Sequence, residues 1–303
     1  MNAERIDCAY TESGKLVLYR DASSLAVADR QRLMQAPFSG KQYLLSSSEC
    51  IDREQALKVQ VSKIAGGIWT PSEAVLDAEA LCVQLAKKIT ERGGTVLRNC
   101  KVLSLSKANT SVRAAVTEHA NLLADAFVVA AGNASNALTE PLNVPLLMEP
   151  LKGYSISAPI RDDTLAPRIS VTDAARKIVF ARIGTQLRVA GMAELVGFDK
   201  RIRHQRIEQL FKATRDNFGD CVDFNAATHW AGFRPATPTS LPFISRTPLS
   251  NLYLNTGHGA LGVTLSFGSS HLLATMIHND YAGSSGQKAL ASVTTRLECF
   301  RWK

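Results

Sequence analysis

The residues whose spacing carries the most chemistry are Gly257-His258-Gly259-Ala260-Leu261-Gly262. This GxGxxG follows a strand-like Leu252-Tyr253-Leu254-Asn255 and opens an apolar helix, as in loops that seat a dinucleotide pyrophosphate on a helix N-terminus. Such a unit also needs a second parallel strand whose terminal acidic residue holds the ribose hydroxyls. Asp280 stands at about that distance, yet His278-Asn279-Asp280-Tyr281-Ala282-Gly283 does not read as a strand. The motif is therefore expected to do something else. Its glycines let main-chain amides approach a ligand, and the helix dipole favours negative charge there, such as that of a reduced flavin ring. Close helix–strand packing would use the same glycines and stays open as the alternative.

The second candidate is Arg234, in Gly232-Phe233-Arg234-Pro235. A guanidinium presents a planar fork of donors that can hold a carboxylate through two parallel hydrogen bonds, although a bare Arg-Pro pair is more often a surface or structural arginine. Cys8, Cys50, Cys82, Cys100, Cys221 and Cys299 form no CxxC pair, which argues against a zinc site, an iron–sulfur cluster or a disulfide framework. The net charge of +8 is spread over dispersed basic residues without a nucleic-acid motif, so no nucleic acid is expected as a partner.

These residues have to be positioned by a chain of 303 residues, 46% of them apolar, enough for one large or two interleaved domains. Gly14 to Arg20 alternates as a strand, and Ser24 to Gln35 has helical spacing. After Asp77, which can cap a helix, Ala78, Leu81, Cys82, Leu85, Ala86 and Ile89 share one face, and Gly93-Gly94 ends it. Strands are predicted at Thr95–Leu97, Val102–Leu105, Val112–Val116 and 126–131, the last without alternation, as in a strand buried on both faces. Tyr154–Ala158, Lys177–Ile183 and Gln186–Ala190 alternate as an antiparallel sheet, the latter two joined by a tight turn at Gly184-Thr185. A charged helix from Lys200 to Phe218 turns Ile207, Leu210 and Phe211 inward before a strand near Trp230. The order implies an α/β domain interrupted by an α+β domain. No apolar run approaches the roughly 20 residues of a membrane span, and the N-terminus does not read as a secretory signal, so a cytoplasmic location is expected.

Four segments in order resemble the D-amino-acid dehydrogenase branch of the D-amino-acid oxidase-like flavoenzymes. They are Pro150-Leu151-Lys152-Gly153-Tyr154-Ser155, Val189-Ala190-Gly191-Met192-Ala193-Glu194, Trp230-Ala231-Gly232-Phe233-Arg234-Pro235-Ala236-Thr237-Pro238 and Leu254-Asn255-Thr256-Gly257-His258-Gly259-Ala260-Leu261-Gly262. The likeness extends to about Ile277. It implies the remainder of an FAD/NAD(P)-binding, glutathione-reductase-like domain interleaved with an antiparallel-sheet substrate domain. The substrate domain would take residues 1–71 and 150–222, the FAD-binding domain 72–149 and 223–281, and 282–303 would be a tail. The cofactor implied is FAD, against which Gly257, His258, Gly259 and Gly262 match a flavin-contacting motif, Ala131 and Gly132 a turn beside the cofactor, and Val102 a strand residue near the adenine. Arg234 matches a substrate-carboxylate anchor and Tyr154 a substrate-side position.

Two departures from that pattern stand out. Thr239-Ser240-Leu241-Pro242 replaces an Asp-Gly pair common before that proline, and nothing before Tyr10 can supply the amino-terminal Rossmann strand, Gly-rich loop and helix. Roughly a hundred residues are expected to be missing on size grounds. The resemblance implies oxidation of a D-amino acid to a 2-oxo acid and ammonia, with electrons passed to a respiratory acceptor and the basic surface suited to the inner face of the plasma membrane. A complementing nucleotide-binding chain is the partner this implies. A catalytically inactive remnant or interaction module, and an enzyme for glycine, sarcosine or a cyclic imino acid, are the alternatives.

Overall fold

The computed structural model describes residues 6–38 and 40–282. Along the chain these form β1 (Lys15–Tyr19), α1 (Ala22–Gln35), β2 (Tyr43–Ser46), α2 (Ser47–Arg53), β3 (Gly66–Thr70), α3 (Ala78–Glu91), β4 (Val102–Ala108), β5 (Ser111–Thr117), β6 (Asn121–Leu123) and β7 (Phe127–Val129). They continue as α4 (Ser135–Thr139), β8 (Glu149–Pro159), β9 (Ser170–Asp173), β10 (Ile178–Ile183), β11 (Gln186–Leu195), α5 (His204–Phe218), β12 (Thr228–Ala236), β13 (Phe243–Arg246), β14 (Leu252–Thr256) and α6 (Gly262–Ala282). Ala282 ends a helix rather than opening a tail; 283–303, with Cys299, lie outside the described residues.

The chain divides into two compact units. The first runs to Lys87 and adds Lys152–Glu194 and Asp199–Gly232; the second comprises Lys88–Leu151, Leu195–Phe198 and the described residues from Phe233 onward. The sequence places the changes at 71/72, 149/150 and 222/223, and the compact units change at 87/88, 151/152 and 232/233, with a brief excursion at 195–198.

In the first unit eight strands run in the order β12-β8-β11-β10-β9-β1-β3-β2, all neighbours of stated register antiparallel except β1 and β9. Register sorts the side chains between two faces, because residues alternate along each strand. Leu16 pairs with Val171, Val171 with Phe180 and Phe180 with Val189; all are buried in a core that also takes Tyr154 and Ile156 of β8 and Ile207, Leu210 and Phe218 of α5. The Phe180 and Phe218 rings meet edge to face at 5.0 Å. The opposite face carries Val17, Thr172, Val179 and Ala190 in one row and Ala181 paired with Arg188 in the next. The β10–β11 hairpin turns at Gly184, φ +58°, and Thr185, as expected. Helix α5 starts four residues later than its charge pattern suggests, because the Asp199 carboxylate accepts the Arg201 amide at 3.0 Å and holds the chain in a turn. Buried Glu54 is satisfied by three main-chain amides, those of Ala56, Arg168 and Ile169.

The second unit holds an antiparallel meander, β4-β5-β6, and a sheet in the order β13-β14-β7, in which β14 and β7 are parallel. Phe127, Val129, Leu252 and Leu254 share a core with Leu105 and Val112. Asn251 ties the two sheets, accepting the Val112 amide at 2.8 Å and donating to the Val112 and Asp125 carbonyls. Asp280 lies in α6, where Arg246 of β13 grips it with Nε and Nη2 and Tyr253 of β14 donates to it at 2.8 Å.

Several expectations are corrected here. Asp77 does cap α3, accepting from Glu79 and Ala80, and Gly94 closes it on the Ile89 carbonyl, but of the predicted apolar face only Leu81 is buried. Thr95–Leu97 forms no strand, and the unalternating run at 126–131 shortens to three strand residues with Val128 44% exposed. The strand at β7 is an edge strand among the described residues, with nothing pairing its outer side. The segment Gly259–Ala282 is long and apolar enough, by length and composition, to cross a membrane, and little of it is buried. Interspersed Ser, Thr, Gly and His hide this from a search for unbroken apolar runs.

Candidate functional site

The parallel pair β7 and β14 sets the geometry of the candidate site. Ligands of open α/β sheets lie beyond the carboxyl ends of parallel strands, and from those ends the chain passes into Ala131-Gly132 and into Gly257-His258-Gly259. The two turns are joined: Thr256 Oγ1 donates to the Gly132 carbonyl at 3.3 Å and lies 3.0 Å from Ser135 Oγ, while Ser135 is itself buried and its carbonyl accepts from Thr139. Asn133 Nδ2 donates to the Phe233 carbonyl at 3.0 Å, which fixes the backbone of β12 next to Arg234. Seven of the nine residues singled out by sequence therefore gather in one unit around a few hydrogen bonds: Ala131, Gly132, Arg234, Gly257, His258, Gly259 and Gly262. Val102, in the same unit, heads β4 and packs against the Leu105 and Val129 core.

The glycines divide between packing and access. A Cβ on Gly257 would come within 2.9 Å of Thr237 Cγ2 and 3.2 Å of Phe243 Cδ2, so close packing demands a glycine there. Gly132 at φ +56° and Gly259 at φ +55° have nothing within 4 Å of an added Cβ. Their backbone conformation favours glycine and the space before them is empty, the form expected where main chain meets a ligand. His258 stands between, its Nε2 buried without a hydrogen-bond partner among the described residues, as are Asn133 Oδ1 and Asn255 Oδ1. Burial pushes the His258 imidazole below its ordinary pKa, favouring the neutral ring. The open space before the Gly132 and Gly259 backbone, where main-chain groups can approach a ligand, fits a planar group such as a flavin.

Burial also lowers the Arg234 guanidinium from its ordinary value. The turn after it explains the missing Asp-Gly pair. Ser240 adopts φ +60°, a left-handed conformation that normally selects glycine, and its amide donates to the Thr237 carbonyl at 3.2 Å, while Thr237 Oγ1 donates to Leu241 O at 2.9 Å. A serine thus takes the left-handed position of this turn, where glycine would be unstrained.

Tyr154 belongs to the other unit and to its helix-covered core. It is 1% exposed, and its hydroxyl donates to Glu194 Oε2 at 2.8 Å. Burial and that bond push the phenol up to about 12. Burial raises the Glu194 carboxyl, but bonds from Tyr154 and Arg206 outweigh it and leave the group below its ordinary value. The tyrosine is thus packed into the core with its hydroxyl engaged by Glu194. Strand alternation could have signalled this, since Tyr154 shares parity with Ile156 and Ala158 of the core. Sequence reasoning missed the neighbouring residues of opposite parity, Ser155 and, across the sheet, Arg188. Among the described residues no group of His, Cys, Asp and Glu could hold a metal ion.

A family model described as FAD dependent oxidoreductase matches residues 1–276. D-amino acid dehydrogenase 2 of Ralstonia nicotianae is 46% identical over 278 residues, covering 89% of this chain and 65% of that protein. D-amino acid dehydrogenase of Vibrio vulnificus is 36% identical over 266 residues, covering 88% and 64%. The chain thus spans less than two thirds of the length of these curated relatives. Among solved structures, glycine oxidase from Geobacillus kaustophilus superposes with a TM-score of 0.82 at 19% identity over 90% of this chain and 73% of that one. L-proline dehydrogenase from P. horikoshii gives 0.81 at 16% over 91% and 74%. At such identities these two likenesses speak for the fold, a mixed α/β architecture, as the sequence implied.

Proposed function

The chain belongs to the family of FAD-dependent oxidoreductases, and on that premise we propose that it carries the substrate-binding and flavin-facing parts of a D-amino acid dehydrogenase. The observation that carries this reading is the junction at the ends of β7 and β14, where Gly132 and Gly259 leave open space before their backbone and His258 Nε2 is buried without a partner. Gly257, His258, Gly259 and Gly262 would hold the ring of FAD, Ala131 and Gly132 its middle, and Val102 would lie near the adenine. The second unit is then the remainder of the FAD-binding domain and the first the substrate domain.

When bound, FAD supplies the acceptor for the hydride leaving the substrate Cα. Arg234 holds the substrate carboxylate and thereby sets the direction of the Cα–H bond. Neutral His258 adds no positive charge near the ring and keeps water from the buried edge it occupies. Tyr154, tied to Glu194, supports the sheet from its core side. Water then converts the imino acid to a 2-oxo acid and ammonia, with no acid–base residue of this chain required once the amine is neutral.

The open edge of β7, with Val128 exposed, favours a nucleotide-binding segment as partner, supplied in the same or another polypeptide. Electrons would leave to a respiratory acceptor, and a net charge of +8 suits docking to an anionic cytoplasmic membrane face. To test the reading, the chain is mixed with FAD and the amino-terminal third of the Ralstonia nicotianae relative, and its visible spectrum is followed anaerobically. A flavin band that bleaches with D-alanine and not L-alanine is expected. Bleaching only with glycine, sarcosine or D-proline would reassign the substrate, and a colourless protein would leave an inactive remnant.

A further inference from the structure

On the face of the eight-stranded sheet opposite its helix-covered core, Arg188 is the one arginine in the rows whose register is known, which also carry Val17, Val179, Ala181, Ala190, Thr172, Ser170 and Lys15. Other arginines of this unit meet carboxylates: Arg20 pairs with Asp173, Arg176 with Asp216 and Arg206 with Glu194. Arg188 has no carboxylate partner among the described residues. Its Nη2 donates to Ser155 Oγ at 3.3 Å, a hydroxyl whose residue is 2% exposed, and its guanidinium lies 5.8 Å from the centre of the Trp230 ring. Trp230 is 56% exposed, large for an indole, yet its position is built into the strand: a Cβ on Gly232 would stand 2.0 Å from Trp230 Cη2, so the ring lies flat over the one residue that can accept it. A half-buried cation without a counter-charge costs stability unless a ligand supplies one. A planar fork beside an aromatic platform is suited to a carboxylate joined to a short carbon chain.

We infer that Arg188, Ser155 and Trp230 form a carboxylate-binding station that takes the side-chain carboxylate of an acidic substrate. The inference rests on the reading of this unit as the substrate domain and narrows it: D-glutamate and D-aspartate gain an anchor that D-alanine lacks. Arg188 supplies two donors to the carboxylate, Ser155 keeps the guanidinium in plane, and the carbon chain lies on the indole.

Glutarate, a dicarboxylate without an amino group, isolates the station from the chemistry at Cα. Binding of glutarate to the full chain is measured by calorimetry and by tryptophan emission. Saturable binding is expected, weakened at least tenfold by Arg188→Gln, partly restored by Arg188→Lys, and silent in emission for Trp230→Phe. Equal affinity of Arg188→Gln and the unaltered chain, with matching circular dichroism, overturns the inference, as does no uptake of glutarate by the unaltered chain. Arg234→Lys is measured in parallel with D-alanine. Loss of D-alanine binding there, with glutarate indifferent to Arg188, sinks the station alone; an Arg188-dependent glutarate site with D-alanine indifferent to Arg234 supports the station and counts against the proposed carboxylate anchor.

Discussion

The strands of the two units are similarly apolar, yet among the described residues the first unit builds much the larger buried core. Phe180, Leu187 and Val189 are sealed under α5, in a cluster that draws on 23 buried residues; the cluster around Leu252 and Leu254 draws on nine among the described residues. In the second unit Val128, Leu103, Leu123 and Leu147 face solvent, as do Leu261 in the turn before α6 and Val263 and Leu272 in α6. The contrast teaches that the first unit carries its own stability in a large core, whereas the second sets its glycine turns at Gly132 and Gly259 over a smaller one.

The largest break in this contrast should come from the sealed side. Phe180→Ala, which removes the ring packed on Phe218, is expected to cost about 3–5 kcal/mol in denaturant unfolding. Val128→Lys should leave that stability within about 0.5 kcal/mol, because the position is exposed, while abolishing complementation by the nucleotide-binding segment; impaired stability with complementation intact would undo the account of β7. Tyr253→Phe removes the hydroxyl that donates to Asp280 and should cost about 0.5–1.5 kcal/mol, read from the thermal midpoint. Ser240→Gly should stabilise by about 0.5–1 kcal/mol, since it relieves a left-handed serine. The smallest effect is a pH slope. Burial lowers the His258 pKa in the folded protein, so the unfolded chain binds the proton more readily, and stability should decline as pH falls below 6.5. His258→Asn should flatten that slope; an unchanged pH profile would show that the ring is not desolvated.

Local pattern made much of this legible. The Gly184-Thr185 hairpin, the Asp77 cap, the inward face of α5 and the failure of Asp280 to end a strand all follow from neighbours in sequence. Environments set by distant chain are less legible. Val128 has the composition of a doubly covered strand, and only topology places it at an edge. Tyr154 sits in a recognisable segment, but which sheet face it occupies depends on strand parity against Phe180 and Leu187, a comparison across more than twenty residues. Ser240 shows the converse, a left-handed turn at a residue whose type does not announce one.

Strand β1 lies between β3, antiparallel to it, and β9, parallel to it, so that Val17 is flanked by Ile68 on one side and by Thr172 on the other. During synthesis the first neighbour emerges early, but the second follows some 150 residues later, about 8–30 s at ordinary elongation rates. Through that interval β1 offers the ribosome-bound chain an unpaired edge backed by Leu16 and Leu18, a template for pairing with any other extended segment. Growth at lower temperature or with more chaperone should therefore raise the soluble yield more than any substitution in the finished sheet.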